Sequence, residues 1–241
     1  AVHSLKDMPT ELLAGLQITA VPEREVVADF LIVSAATAAL MAAIEIEQLP
    51  HQSRVGTSSL RRALQLQEQR PDLQIVPLRG NIGTRLKKLA AGEVAATVLA
   101  EAGLKRLGLC QDQIIGAAIP MKTMIPAVAQ GALAIETTVD SPVIPWVVAI
   151  DHRTTHLAIL AERAMLRLLD GSCRTPIGGV TEWRADGSLR LVGGLASSNG
   201  RRMIRAESSA VVLDGAAAVS LGQAVGQELL LRRAQGSDSV D

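Results

Sequence analysis

The chain has 241 residues, with 24 basic and 24 acidic side chains and therefore no net charge; 48% of its residues are hydrophobic and 20% charged. That length and apolar content support buried cores in two or three compact units and argue against global disorder. Balanced charge, with only Phe30, Trp146 and Trp183 as aromatic residues, counts against a coat for nucleic acid or anionic membrane and against a base-stacking platform.

Two cysteines, Cys110 and Cys173, cannot build a disulfide-rich scaffold. No basic segment followed by an apolar one reads as a signal peptide. The most apolar stretch, 26–46, is broken by Asp29, Ser34, Thr37 and Glu45, which suits a buried strand followed by a helix and not a membrane span. A soluble cytoplasmic protein is the expectation.

The opening Ala1-Val2-His3-Ser4 reads as the end of a strand, and an N-terminal truncation is expected. From Val27 onward, short apolar runs alternate with amphipathic patterns. Strands are predicted at 27–33, 54–57, 73–78 and 94–99, and helices at 58–69, 85–91 and 101–107, with a turn at 80–84. Such alternation predicts a sheet with substantial parallel pairing and covering helices. A helix over 156–170 follows, carried by Leu157, Leu160, Ala161, Ala164 and Leu168. After Gly178 the pattern changes to strands at 179–184, 189–197 and 202–212, joined by Asp-Gly and Asn-Gly turns. A closing helix is expected over 215–233 and a disordered tail over 235–241.

Charge is unevenly spread. Between Arg54 and Arg106 there are ten basic residues and four acidic ones, so this segment holds a surplus of six positive charges that the remainder of the chain cancels. Two segments share a layout of strand, Gly-Thr turn and arginine in the first helical turn: 56–62, with Thr57, Ser58, Ser59, Arg61 and Arg62, and 79–85, with Arg79 and Arg85. Glycine permits close backbone approach, and the N–H groups and hydroxyls of a helix start suit an anion or a cap. Arginine there opposes the helix dipole at a cost of about 0.3–1 kcal/mol, so local stability does not explain it. A guanidinium pairs with carboxylate or phosphate through two parallel hydrogen bonds. Two such corners facing one cleft would hold a ligand with several anionic groups.

Asp7 follows Lys6 in a loop that Pro9 keeps extended. Spacing alone reads the two as a surface ion pair; in an arginine-rich cleft the carboxylate would stay ionised and could stabilise a developing cation. Cys173, in Gly171-Ser172-Cys173-Arg174-Thr175-Pro176, is either an attachment point or nucleophile, its thiolate favoured by Arg174, or a free structural cysteine. His152 and His156 are four apart with no third metal ligand near in sequence. No Walker A or Rossmann glycine pattern is present.

Taken together, the stretches AVHSLKDMPT, VGTSSLRR, LRGNIGTRL, AGLKRLGL, IPAVAQGALAIE, AERAMLRLLDGSC and TPIGG, in that order over most of residues 1–179, closely resemble the hydroxymethylbilane synthase (porphobilinogen deaminase) family. The resemblance implies a cytoplasmic, monomeric transferase of tetrapyrrole (haem) biosynthesis, without nucleic-acid or membrane partners, that joins four porphobilinogen molecules into hydroxymethylbilane with release of ammonia. It implies a dipyrromethane cofactor attached covalently through Cys173, a catalytic role for Asp7, and cofactor contacts from Lys6, Thr57, Ser58, Ser59, Arg61 and Arg62. Substrate contacts fall on Arg79, Arg85 and Arg106. The implied fold is α/β plus α+β: two lobes like those of periplasmic binding proteins, the first incomplete, and a smaller C-terminal α+β domain. Residues 1–22 and 130–148 would form the remainder of domain 1, 28–124 domain 2, and 153–234 the cofactor-attachment domain.

Departures from the family pattern are also legible. The family's first domain begins well before Ala1 and supplies a further arginine, a serine and lysines to the cleft. Ala28 stands at a position that is usually basic and Ala95 at one that is usually acidic. A sheet lacking its first strands would expose apolar surface and unpaired edges, so the chain by itself is expected to be inactive and poorly soluble. The competing readings are a non-catalytic polyanion-binding module of the same two-lobed architecture, an inactive fragment of the enzyme, and a basic nucleic-acid-binding domain. The first leaves Asp7 and Cys173 without a task, and the last is opposed by zero net charge.

Overall fold

Strands and helices alternate through the first two thirds of the chain, as the periodicity predicts, but the resulting sheets are mixed. A computed structural model describes residues 1–109, 113–169 and 175–236. In chain order the elements are β1 (Val2–Ser4), a 3-10 turn at Leu5–Asp7, β2 (Leu16–Ala20), β3 (Asp29–Val33), α1 (Ala35–Ala38), β4 (Arg54–Gly56) and α2 (Leu60–Gln69). Then come β5 (Gln74–Val76), α3 (Ile82–Ala90), β6 (Ala96–Ala100), α4 (Glu101–Arg106), β7 (Gly116–Ala118), β8 (Leu133–Thr138) and α5 (Ile144–Val148). The C-terminal unit holds α6 (Arg153–Leu168), β9 (Ile177–Trp183), β10 (Ser188–Ala196), β11 (Met203–Val211) and α7 (Gly215–Gln235).

Three sheets result, ordered β1-β8-β2, β5-β4-β6-β3-β7 and β11-β10-β9. In the central sheet β4 pairs in parallel with β5 and β6, whereas β3 runs antiparallel to both β6 and β7. The expected parallel pairing is therefore half of what is found. β3 is buried along its whole length, because apolar clusters cover both faces of that sheet, one around Leu31, Val55 and Val98, the other around Phe30, Ile32 and Leu99. That is why 30–33 is a continuous apolar run without alternation.

Three helix starts differ from the sequence expectation, α2 by beginning two residues late, at Leu60. α3 begins at Ile82, inside the predicted turn, because the Asn81 side chain accepts from the Thr84 N–H at 2.8 Å and nucleates the first turn. α6 begins at Arg153, three residues before the expected start, with His152 at its N-cap position. Cys110, Cys173, Arg174 and the tail beyond residue 236 lie outside the described residues.

The first sheet and the C-terminal unit share one core: Leu5, Val21 and Ala134 join Leu157, Met165, Leu191, Val225 and Leu229. At its centre lies the fully buried carboxylate of Glu162 on α6. It accepts from Arg24 Nη1 at 2.6 Å and Nη2 at 3.1 Å, from the Ala129 N–H at 2.7 Å, and from the Thr181 N–H and hydroxyl at 2.9 and 2.8 Å. Arg24 and Ala129 sit on the two segments that cross between the first sheet and the central one, so this carboxylate ties the crossing point to the C-terminal unit. The crossing strands approach closely at Gly131 (φ +85°), where a Cβ would lie 2.4 Å from the Glu25 carbonyl oxygen.

α6 and α7 are held equally close. A Cβ at Gly222 of α7 would stand 2.2 Å from the Ala161 carbonyl oxygen. Alanine is otherwise favoured over glycine within a helix by about 1 kcal/mol, but here the contact is with backbone and cannot swing aside. Gly222→Ala is expected to destabilise the protein by about 1–3 kcal/mol. Gly215→Ala, whose Cβ would meet only Leu160 at 3.4 Å, should stay within about 0.5 kcal/mol. Urea unfolding of the two variants checks this, and equal stability would contradict the packing described.

Candidate active site

Asp29 begins β3 and is fully buried. An isolated ionised carboxylate there would be prohibitively costly, and α2 supplies its partners. The Ser59 hydroxyl accepts from the Arg62 N–H and starts the helix, which turns Arg61 and Arg62 inward together with Leu64, Gln65 and Leu66. Arg61 Nη1 donates to Asp29 Oδ2 at 2.8 Å and to the Ile125 carbonyl at 2.6 Å. Arg62 Nη2 and Nε donate to Asp29 Oδ1 at 2.7 and 3.1 Å, and Arg62 Nη1 to the Val98 carbonyl at 2.9 Å. Gln130 Nε2 adds a bond to Asp29 Oδ1 at 3.0 Å. Burial by itself pushes the Asp29 carboxyl up; the charges of Arg62 and Arg61 and their hydrogen bonds outweigh it and hold the group well below the usual carboxylate range. The arginines that disfavour the helix start are thus placed there by a carboxylate on another element.

Beside this hub a cavity of about 250 Å³ opens between the first sheet and the central lobe. Lys6, Arg62, Arg85 and Arg106 line it with the glycines Gly80, Gly103 and Gly131, and no carboxylate is among its lining residues. Arg85 Nε is aimed by a bond to the Gly80 carbonyl at 2.8 Å, and Arg106 Nη2 by one to the Gly131 carbonyl at 2.8 Å. The Lys6 side chain reaches solvent, yet its ammonium is recessed among protein atoms. Burial and then the Arg62 charge push its pKa down, against the opposing pull of Asp7 and Asp29. The Arg85 guanidinium is lowered by burial and by Arg62 in the same way. Crowded, partly dehydrated like charges raise the free energy of the empty cleft, and an anion that neutralises them relieves it.

The anticipated residues therefore separate into groups. Lys6, Arg62, Arg85 and Arg106 converge. Arg61 is buried, engaged by Asp29 and a carbonyl, and does not line the cavity. Thr57, Ser58 and Ser59 are engaged in the turn itself: the Thr57 hydroxyl accepts from the Ser59 N–H at 3.2 Å, Ser58 donates to the Leu78 carbonyl at 3.2 Å, and Ser59 caps α2. Arg79 is exposed and outside the lining, next to the buried Leu78. Asp7 borders an adjacent cavity of about 300 Å³ with His3, Met8 and Glu136, and Ser4 forms part of both walls. Its charge is felt at the Lys6 ammonium, so carboxylate and cations are neighbours in adjoining compartments. Cys173 lies outside the described residues.

Sequence reasoning missed Asp29, Gln130 and Glu162. The available signal was a single aspartate in the otherwise apolar run Ala28–Val33 and a glutamate on the apolar face of α6; each calls for a buried partner. Among the described residues no group of three or more His, Cys, Asp or Glu side chains is placed to hold a metal, and no helix is long and apolar enough to cross a membrane.

Comparison with known proteins gives concordant matches. Residues 1–144 match the family model described as "Porphobilinogen deaminase, dipyromethane cofactor binding domain", and residues 156–231 that described as "Porphobilinogen deaminase, C-terminal domain". The chain is 47% identical to the porphobilinogen deaminase of Ralstonia nicotianae, over 95% of this chain and 66% of that protein. It is 45% identical to that of Sphingopyxis alaskensis, over 92% and 68%, and 43% identical to that of Burkholderia vietnamiensis, over 100% and 68%. It thus spans about two thirds of the length of these relatives. Among solved structures, the ligand-binding core of GluR0 with L-glutamate matches at 11% identity and a TM-score of 0.31, over 63% of each chain, which adds nothing to the fold described above.

The Asp29 hub generates a stability prediction. Asp29→Ala leaves two buried guanidinium groups without their counter-ion and should cost about 3–5 kcal/mol. Asp29 titrates lower in the folded protein than the roughly 3.9 of an unfolded chain, so its contribution is full above that value and is lost as the pH falls beneath it. Urea midpoints measured between neutral and acidic pH should therefore drop more steeply below about pH 4 in the parent than in Asp29→Asn; parallel curves would contradict the assignment.

Proposed function

The chain belongs to the porphobilinogen deaminase family, and from that membership we propose that the protein carrying it joins four porphobilinogen molecules head to tail into hydroxymethylbilane, releasing one ammonia at each step. The observation that carries the proposal is the convergence of Lys6, Arg62, Arg85 and Arg106 on one small cleft whose lining holds no carboxylate. Porphobilinogen bears an acetate and a propionate, so each added ring brings two anions, and a cleft with unneutralised cations is the complement of such a chain. The same donor set fits a dipyrromethane, whose charged groups are likewise carboxylates. We assign its attachment to Cys173, which follows α6 in sequence. When bound, that group supplies the free pyrrole carbon to which the first substrate is joined.

In this reading Arg62 is the fixed member of the cleft. Asp29 occupies Nε and Nη2 and Val98 occupies Nη1, so its orientation is set before a ligand arrives. Lys6, Arg85 and Arg106 complete the clamp, and the Arg79 and Thr57–Ser59 positions are assigned to the path of the longer chain. Asp7 is assigned the chemistry at the substrate. As the carbon–nitrogen bond of the aminomethyl group breaks and the amine leaves with a proton as ammonia, positive charge spreads onto the pyrrole nitrogen. The Asp7 carboxylate, poised beside the clamp, stabilises that charge.

We divide the chain into 1–22 with 130–148, 28–124 and 153–234; what supports this is that each sheet draws its strands from one of these sets. We read the working protein as a cytoplasmic monomer without a nucleic-acid partner; the balanced charge and few aromatic side chains of this chain count against the last.

In the protein that carries this chain, intact-mass measurement is expected to show a covalent dipyrrole that is lost in Cys173→Ala. Asp7→Asn should retain that adduct and a folded near-ultraviolet dichroism spectrum while its turnover falls about 10²–10⁴-fold. Normal turnover by Asp7→Asn would remove the residue from the mechanism, and an unchanged mass in Cys173→Ala would remove the attachment site.

A further inference from the structure

A second and larger cavity, of about 540 Å³, opens between the 120–122 segment of the central lobe and one face of the C-terminal sheet. It shares no lining residue with the cationic cleft. Strand register explains its chemistry. Arg190 stands opposite Glu182, and Val192 opposite both Val180 and Glu207, so these five side chains share the face turned away from α6 and α7. The opposite face, with Leu189 and Leu191, belongs to the core. An apolar floor of Val180 and Val192, with Met121 at its side, is therefore bordered by charge.

The charges do not cancel. Arg190 pairs with Glu207 and, at 3.7 Å, with Glu182. Arg232 Nε donates to Glu228 at 2.6 Å. Arg205 Nη1 donates only to the Lys122 carbonyl, at 2.6 Å, and neither Arg205 nor the Lys122 ammonium has a carboxylate partner among the ion pairs of the described residues. Counting Glu228 behind the wall, four cations face three carboxylates, which leaves one positive charge. Arg190 Nε is also buried and finds no acceptor, and an unmet buried donor is costly.

We propose that this cavity binds a small amphiphilic organic monoanion, an apolar ring bearing one carboxylate. The ring rests on Val180 and Val192, and the carboxylate meets Lys122 and Arg205. Such a volume suits a ligand of that size, and an apolar floor bordered by placed charges suits a ligand with an apolar body and one ionised group. Because the walls come from two units, an occupant ties the 120–122 segment to the C-terminal sheet. The site stands independently of the porphobilinogen reading, since the two cavities have no wall in common.

The probe is 2-naphthoate, with naphthalene-2-carboxamide as its neutral counterpart, titrated by calorimetry into the folded chain. The expected result is saturable 1:1 binding of the acid, with the amide at least about tenfold weaker. Lys122→Glu should lose at least about tenfold in affinity, and Lys122→Ala should fall in the same direction, while Arg85→Ala, altered in the other cleft, stays within about twofold. Dichroism confirms that the exposed Lys122 variants fold. Absence of saturable binding, equal affinity for acid and amide, unchanged affinity in both Lys122 variants, or an equal loss in Arg85→Ala would each overturn the proposal.

Discussion

A single buried carboxylate, Asp29, receives two guanidinium groups from the first turn of a helix on another part of the chain, and the disposition of the cleft follows from that contact. Without Asp29, Arg61 and Arg62 would oppose the dipole of α2 and carry two unpaired charges into the core. With it, they become the means by which α2 is docked. Asp29 Oδ1 takes Arg62 and Gln130, Oδ2 takes Arg61, and Arg61 and Arg62 reach on to the Ile125 and Val98 carbonyls. Helix α2, strand β6 and the returning crossover are thereby fixed to one group of atoms. One face of Arg62 is left to the cleft beside Lys6, Arg85 and Arg106.

A second buried carboxylate repeats the logic at the other side of the crossover. Glu162 binds Arg24 on the outgoing segment and the Ala129 amide on the returning one, and holds Thr181 of the C-terminal sheet. Gln130 completes the connection: its carbonyl accepts from Arg24 Nε at 2.8 Å and its amide reaches Asp29. The two hubs are therefore linked through one glutamine. Buried ion pairs of this kind specify geometry more than they add net stability, and a cleft between two lobes needs its geometry specified at the crossing.

Local structure was largely legible from residues. The hydroxyl-bearing turn at 57–59 announced α2, the 3.6-residue spacing of Leu157, Ala161 and Leu168 announced α6, and the Asp-Gly and Asn-Gly turns announced the C-terminal sheet, whereas the Asn81 cap that starts α3 lay inside a predicted turn. Lys6, Arg62, Arg85 and Arg106 line one cavity. The failures share a cause. Spacing shows that an arginine sits in a first turn, but whether it faces a cleft or a buried counter-ion depends on residues far away in sequence. Asp29 lies 32 positions from Arg61; hidden in an apolar run, it was taken as a break in a hydrophobic stretch. The hydroxyls of Thr57, Ser58 and Ser59 suited both a cap and a ligand, and within the structure they serve the turn. Asp7 borders the neighbouring cavity and not the cationic one, a distinction that no motif encodes.

The central claim is that Asp29 divides its two arginines between tasks, Arg61 holding the fold and Arg62 facing the ligand. The most direct measurement is the affinity of the folded protein for porphobilinogen in Arg61→Gln and Arg62→Gln, read beside the urea stability of each. Loss of a charge-assisted bond predicts that Arg62→Gln binds about tenfold or more weakly. Arg61→Gln is predicted to lose stability while its folded fraction keeps its affinity to within about twofold. An equal loss of affinity in both variants, or full affinity in Arg62→Gln, would contradict the division.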